Sequence, residues 1–299
     1  MCGIMGYACF GEKRPSKEHL TEMFSLLESR GRDASGIAFI QDNQLIVNKA
    51  PIKSSLFVKT KEWQNVKLSK IMIMHTRAAT QGSNKNEANN HPIFNKLGIA
   101  IVHNGIINND REIFSKTQKR DGEVDSEAIL AVLSSKGKGD KIKHVFDRLD
   151  GSFAFAAINR TEPDKLILVK KDNPIDLYYD SESDILYFCS ERRIMQEALR
   201  LKTHSFRGFN LGEGSYHFYE MKNNHALIIN AIDGVESYAK YSPRKVNYYD
   251  RDFLFRTREE EMIIECPYCL EKTNYFLGKL FNKCAHCGMD ISEEELYYM

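Results

Sequence analysis

Seven short apolar runs constrain this chain most. Ile37–Ile40, Leu45–Val47, Ile71–Met74, Ile99–Val102, Phe153–Ile158, Leu166–Val169 and Ile185–Phe188 are rich in β-branched or aromatic residues and bounded by turn formers. Each reads as a strand. Helical spacing appears between them. Ser16 precedes Leu20, Met23, Phe24 and Leu27, with Gly31 just past the end. Asp125 or Ser126 precedes Ile129, Leu130, Val132 and Leu133, and Asp140–Leu149 and Glu191–Leu199 are two further candidates. Strands and helices do not alternate strictly, so the pattern predicts a layered α+β fold over a doubly wound sheet. With 42% hydrophobic residues in 299, there is enough apolar material for one large core or two modest ones.

Charge narrows the partners. The 42 Lys+Arg against 41 Asp+Glu leave a net +1, which gives no sequence-wide electrostatic case for nucleic acid or an anionic membrane. No apolar run approaches the ~20 residues that span a bilayer, and no secretory pattern opens the chain. A cytoplasmic protein without a membrane partner is the expectation.

After about Ile232 the texture changes. Residues 236–262 mix Tyr, Arg and acidic residues without clear periodicity and read as a linker or arm. This divides the chain into a main domain over 2–235, the arm, and a Cys-bearing segment over 263–299. That last segment is too small to hold a core alone. Cys266-Pro-Tyr-Cys269 and Cys284-Ala-His-Cys287 are two C-x-x-C pairs, 14 residues apart. Each pair can turn a tight knuckle with both thiolates facing one ion, and two knuckles make a tetrahedral four-cysteine site. The spacing resembles a zinc ribbon, with structural Zn2+ held by Cys266, Cys269, Cys284 and Cys287. A redox dithiol is the alternative. His286 lies inside the second knuckle, where four thiolates already complete the shell.

The chain opens Met1-Cys2-Gly3. Removal of Met1 would leave a terminal cysteine with two useful groups. Its thiolate is a nucleophile, and its α-amine, with a pKa of roughly 7.7–8.0, accepts and returns a proton near neutrality. Gly3 reads as leaving room for a substrate beside the sulfur. A cysteine buried by accident in a first strand is the bland alternative. Four segments follow in order: Arg30-Gly31-Arg32-Asp33-Ala34-Ser35-Gly36, His75-Thr76-Arg77, His103-Asn104-Gly105 and Asp125-Ser126-Glu127. Together with MCGIMGY, HTRAATQG, NNHPIF, VHNGIINN, VDSEAI and LDGSFAFAAIN, they make residues 2–220 resemble the class II glutamine amidotransferase domain, an N-terminal-nucleophile hydrolase. The likeness is greatest to the glutaminase half of glucosamine-6-phosphate synthase and amidophosphoribosyltransferase.

The resemblance implies a four-layer αββα sandwich followed by the small ribbon. It implies that Cys2 attacks the side-chain amide of L-glutamine, giving a γ-glutamyl thioester and ammonia, with its own amine as base and acid and no cofactor for catalysis. It assigns the oxyanion to Asn104 and Gly105, the α-carboxylate to Arg77 and the α-ammonium to Asp125. It gives Thr80 a substrate-lining place and Arg30 the orienting of the nucleophile's end of the site. Gly31 and Gly36 read as turn and close-approach positions. Local alternatives stand beside these roles. Asn-Gly is a hairpin signal, and Asp125 is also a helix cap. His75, His91 and His103 read as structural histidines, and Cys9 and Cys189 as inert core thiols.

Two departures matter. Ala78 stands where the synthase has the Trp that gates ammonia, and Ala79-Thr80-Gln81-Gly82 replaces Ala-Thr-His-Gly. No P-loop pattern appears, and residues 236–299 leave no room for an acceptor-using half. A separate ammonia-accepting synthetase or transferase is therefore the expected partner, and a homo-oligomer is compatible with the chain. The rival reading is a catalytically silent scaffold whose ribbon binds a protein or, less favoured, a nucleic acid.

Overall fold

The computed structural model describes residues 2–114, 120–135, 139–201, 203–206, 209–212, 217–244, 261–266, 268–276 and 282–291. It divides into two units, Met1–Arg244 and Lys245–Met299. The expected arm falls largely on 245–260, outside the described residues, as do Met1, Lys279, Phe281 and Glu293–Glu295.

Fifteen strands build the first unit among its described residues: β1 Gly3–Cys9, β2 Ala34–Gln41, β3 Gln44–Ala50, β4 Ile71–Arg77, β5 Ile93–Phe94, β6 Ile99–Ile107, β7 Gly151–Asn159, β8 Glu162–Lys171, β9 Asp176–Asp180, β10 Ile185–Cys189, β11 Thr203–Phe206, β12 Phe209–Gly212, β13 His217–Glu220, β14 His225–Asn230 and β15 Gly234–Lys240. Seven form one sheet, in the order β13-β9-β10-β1-β4-β2-β3. Six form a second, in the order β15-β14-β8-β7-β6-β5, and β11 pairs with β12. The ladders within both large sheets are antiparallel.

Three apolar layers explain the stacking. Along β1 the side chains alternate. Met5, Tyr7 and Cys9 join Leu20, Met23 and Phe24 of the helix Lys17–Leu26, together with Trp63. Ile4 and Ala8 turn the other way, into a layer with Ala38, Ile73, Ala100, Val102, Ala154, Ala156 and Leu168. This middle layer lies between the sheets, and its many alanines let them approach closely. Beyond the second sheet, Ile101, Phe153 and Phe155 pack on Ile129 and Val132 of the helix Glu127–Leu133 and on Val145 and Phe146 of the helix Lys141–Arg148. The layers are thus helix, sheet, sheet, helix, the αββα order expected. Each fully buried Phe or Leu contributes roughly 1.5–3 kcal/mol, so the helices are held by packing more than by propensity.

All seven strand expectations fall inside observed strands, and the four helices form near their expected places. Ser16 accepts from His19 N, and Asp140 accepts from Ile142 N and Lys143 N. Strand β15 carries residues 236–240, which the sequence reading gave to the arm. They pair with β14 from His225–Lys240 to Asn230–Gly234, and Arg244 N still donates to Phe146 O. An edge strand with one partner carries charged and exposed side chains, so no apolar run marks it.

In the second unit Glu261–Glu265 pairs with Lys272–Phe276, and Asn282–Lys283 with Asp290–Ile291.

Candidate active site

The site forms where β1, β4 and β6 bring their ends together. Cys2 stands just before β1, half-buried, its Sγ 3.6 Å from Ala78 O. Burial pushes the Cys2 thiol above its ordinary value, Arg77 pulls it down and Asp125 pushes it up. Cys2, Arg77 and Asp125 therefore feel one another, although 75 and 48 residues separate them along the chain.

Gly3 has a different use from the one expected. A Cβ there would lie 2.7 Å from Leu27 Cγ and from Thr76 Oγ1, so glycine lets β1 pack on the turn Leu27–Arg30 and on β4. Gly31 and Gly36 are close-approach positions as expected. A Cβ on Gly31 would meet Arg77 C at 2.3 Å, and one on Gly36 would meet His91 O at 2.4 Å.

Arg77 closes β4 with a buried guanidinium. Nη1 donates to Asn90 Oδ1 at 2.8 Å, and Nη2 to the carbonyls of Gln81 and Gly82. These bonds fix the plane of the fork and tie it to the following loop. Asp33 fastens the same loop by accepting from Ala79 N at 2.7 Å. Thr80 is exposed on that loop. Arg30 Nε donates to Cys2 O at 3.2 Å, and its Nη1 meets Glu191 Oε1 at 3.0 Å.

Asn104 and Gly105 lie inside β6, opposite Ala154 and Phe153. The hairpin alternative is excluded. Gly105 has φ +142°, and a Cβ would sit 2.1 Å from Ser152 O, so no other residue fits. Asn104 is 1% exposed, and its Nδ2 is buried without a hydrogen-bond partner. A buried orphan donor is costly, and such groups in native structures call for an explanation.

Asp125 does not cap the helix that follows it. Its Oδ2 accepts from Ile107 N at 2.6 Å, and its Oδ1 accepts from Ser126 Oγ at 3.4 Å. Behind it runs a chain of histidines. His75 Nε2 lies 2.9 Å from His103 O, and because a carbonyl only accepts, the proton is on Nε2. His103 Nδ1 lies 2.7 Å from Ser126 Oγ; with that hydroxyl donating to Asp125, Nδ1 carries the proton. Burial depresses His75 to about 3 and lowers His91 and His103, so all three are neutral near pH 7. His75 stacks on His91 at 4.2 Å between centroids. Through Ser126, His103 ties β6 to Asp125, and among the described residues none of the three is hydrogen-bonded to Cys2. Cys9 and Cys189 are buried, their thiols pushed up to about 11 and about 12, which suits inert core groups.

Sequence reasoning missed Asn90, Ser126, Ser190 and Glu191. Ser126 and Asn90 lay inside quoted motifs. Ser190 and Glu191 carried no local signal.

The profile of the glutamine amidotransferase domain family matches residues 75–197. Over these residues the chain is similar to a glutamine amidotransferase domain. Glutamine–fructose-6-phosphate aminotransferase of Clostridium perfringens is 36% identical over 188 residues, 58% of this chain and 29% of that enzyme. The Aquifex aeolicus enzyme of that name is 38% identical over 183 residues, 58% and 30%. The chain thus spans about 30% of the length of these curated relatives. Among solved structures, glutamine phosphoribosylpyrophosphate amidotransferase from B. subtilis shares the fold at TM-score 0.62 and 19% identity, covering 80% of this chain and 49% of that one. A class-II domain protein from Silicibacter pomeroyi reaches 0.50 at 12% identity, covering 82% and 100%.

The second unit carries a separate centre. The Sγ atoms of Cys266, Cys269, Cys284 and Cys287 lie within 4.8 Å of one another and could hold a metal ion. The two knuckles repeat each other. Cys266 N donates to Glu271 O and Leu270 N to Cys266 O; Cys284 N donates to Met289 O and Gly288 N to Cys284 O. Leu270 and Gly288 occupy the same left-handed position, at φ +61° and +74°. His286 N donates to Cys284 Sγ at 3.4 Å, the kind of bond that stabilises a thiolate. No helix among the described residues is long and apolar enough to cross a membrane.

Proposed function

We propose that this protein hydrolyses L-glutamine at Cys2 and delivers the ammonia to an acceptor enzyme on another polypeptide. The observation that carries the chemistry is the buried, unpartnered Nδ2 of Asn104, on the strand whose last residue, Ile107, is bonded to Asp125, together with a thiol that shares its surroundings with the Arg77 guanidinium and the Asp125 carboxylate. A group kept dry and unbonded at rest is a donor waiting for an oxyanion.

The steps follow from that geometry. With Met1 removed, the α-amine of Cys2 takes the thiol proton as Sγ attacks the amide carbon. Burial holds the thiol protonated beforehand, so a base at the same residue is needed. The carbonyl oxygen becomes an oxyanion and takes hydrogen bonds from Asn104 Nδ2 and the Gly105 N–H. The amine returns its proton to the leaving nitrogen, ammonia departs, and a γ-glutamyl thioester remains. Water then attacks the thioester, releasing glutamate and restoring the thiol. Arg77 pairs with the α-carboxylate and Asp125 with the α-ammonium, which selects a free amino acid over a peptide amide. Thr80 lines the substrate from the loop that Arg77 and Asp33 hold.

Zinc is the metal we assign to the four cysteines. A Zn–S bond of ~2.3 Å sets the edge of a tetrahedron at about 3.8 Å. Cys266–Cys287 and Cys269–Cys284 are each 3.7 Å apart. The ion would fold a segment too small for a core, with no part in catalysis. The acceptor enzyme and this protein are both read as cytoplasmic.

The test is intact-mass analysis of natively expressed protein before and after 6-diazo-5-oxo-norleucine. Loss of Met1 and one adduct on Cys2, absent in Cys2→Ala, is expected. Retained Met1, no adduct and no glutamate release with an acceptor partner present would overturn the reading.

A further inference from the structure

We infer that Glu191 is a positioning residue for the nucleophile: its carboxylate holds the Arg30 guanidinium against the Cys2 carbonyl. That carbonyl belongs to the peptide plane from which the thiol and the α-amine of Cys2 hang. The inference rests on the reading of Cys2 as the nucleophile.

Three observations carry it. The ladder on β1 starts one residue after Cys2, with Gly3 opposite Thr76. On the other side Ser190 takes Ile4, its Oγ accepting from Ile4 N at 3.0 Å and its N donating to Ile4 O at 2.9 Å. The Cys2 carbonyl is therefore past the sheet, and Arg30 Nε at 3.2 Å takes the place of a strand partner. Second, Glu191 is the N-cap of the helix Arg192–Ala198, yet its side chain makes no capping bond. A polar cap side chain normally accepts from its own helix; this one reaches Arg30 Nη1 at 3.0 Å. Third, the Arg30 side chain is 10% exposed and its Nη2 is buried without a partner. Among the described residues the fork is held by two bonds, one to Glu191 and one to the residue it positions. Glu191 itself is 40% exposed, and an ion pair of that exposure adds little to stability. Its effect falls on orientation.

Charge gives a second signature. The charged groups facing Cys2 are Arg77 at the end of β4, Asp125 ahead of the helix Glu127–Leu133, and Arg30 with its partner Glu191. Replacing the carboxylate by an amide leaves Arg30 uncompensated. Added positive charge disfavours the ammonium form of the Cys2 amine, so its pKa moves down.

The experiment compares steady-state glutaminase kinetics of the wild-type full chain with Glu191→Gln and Glu191→Asp. In Glu191→Gln we expect kcat to fall roughly 10- to 100-fold with KM within about 3-fold, as for a misplaced reacting group. The acid limb of kcat/KM moves to lower pH. Glu191→Asp recovers part of kcat and restores the limb, because the charge returns on a shorter arm. A folded Glu191→Gln with wild-type kcat and limb overturns the inference. So does an equal loss in both variants without a shift of the limb, the mark of packing alone. Should Glu191→Gln not fold, Arg30→Lys replaces it; lysine lacks the planar fork whose Nε and Nη1 hold Cys2 O and Glu191 in fixed relation, so the same loss in kcat is expected and its absence overturns the inference. A wild type without turnover defeats the reading of Cys2 itself, and the inference falls with it.

Discussion

Asn104→Ala separates catalysis from stability by sign. In the resting protein Asn104 Nδ2 is buried with no partner, and returning such a donor to water on truncation relieves about 1–3 kcal/mol of desolvation. Against this stands the space left by the amide, about 25–30 Å3, which costs roughly 0.7 kcal/mol at ~24 cal/mol per Å3. The folded state should gain between nothing and about 2 kcal/mol, a Tm rise of zero to about 8 °C for a unit of this size. Turnover should move the other way. Loss of one oxyanion donor lowers kcat by about 10²–10³, or about 2.7–4 kcal/mol at the transition state. Glutamate release and differential scanning fluorimetry on one preparation read both quantities. A variant that keeps more than about a third of wild-type kcat refutes the oxyanion role. A variant whose Tm drops by more than about 5 °C shows that the amide is a structural donor, and the activity loss would then carry no mechanistic weight.

Three other outcomes are expected. Folded His75 is depressed to about 3 from an ordinary 6.5, so the unfolded chain binds the extra proton first and stability falls as pH drops below about 6.5. At pH 5 this term alone is about 2 kcal/mol, and urea midpoints at pH 7.5 and 5 measure it; a midpoint unchanged by pH would contradict neutral burial. Asp125→Asn should raise KM for glutamine far more than it lowers kcat, because the α-ammonium loses its counter-charge while the amide carbon is untouched; equal losses would place Asp125 in the chemical step. In the second unit, Leu270→Gly should relieve about 1 kcal/mol of left-handed strain and tighten zinc roughly 5-fold in chelator competition. Gly288→Leu should weaken it by a similar factor, and a change of the same sign in both variants would refute the pseudo-repeat of the two knuckles.

What could be read from the sequence was local. Strand β4 is buried on both faces, so Ile71–Met74 appears as a continuous apolar run; β1 is equally buried, but its two glycines kept Gly3–Cys9 out of the expected strands. The four C-terminal cysteines are spaced in pairs within single turns, so the geometry of each pair is written in four consecutive residues. Features set by distant partners left no trace. Glu191 meets Arg30 across 161 residues and Ser190 meets Ile4 across 186, and nothing near either reveals the appointment. Strand β15 is an edge with Val235 and Tyr238 exposed, so its composition resembles an arm. Gly3 was assigned to the substrate because the sulfur was the neighbour in sequence; in space its neighbours are Leu27 and Thr76. Leu270 hides its left-handed backbone because leucine never signals one, whereas Gly288, at the same place in the other knuckle, does. The same division falls within the candidate active site. Identities that chemistry demands at fixed spacing, such as Cys2 or Asn104-Gly105, are visible from the chain. The groups that aim them are visible only once the chain has brought them together, because any residue with a hydrogen bond to spare can do the aiming.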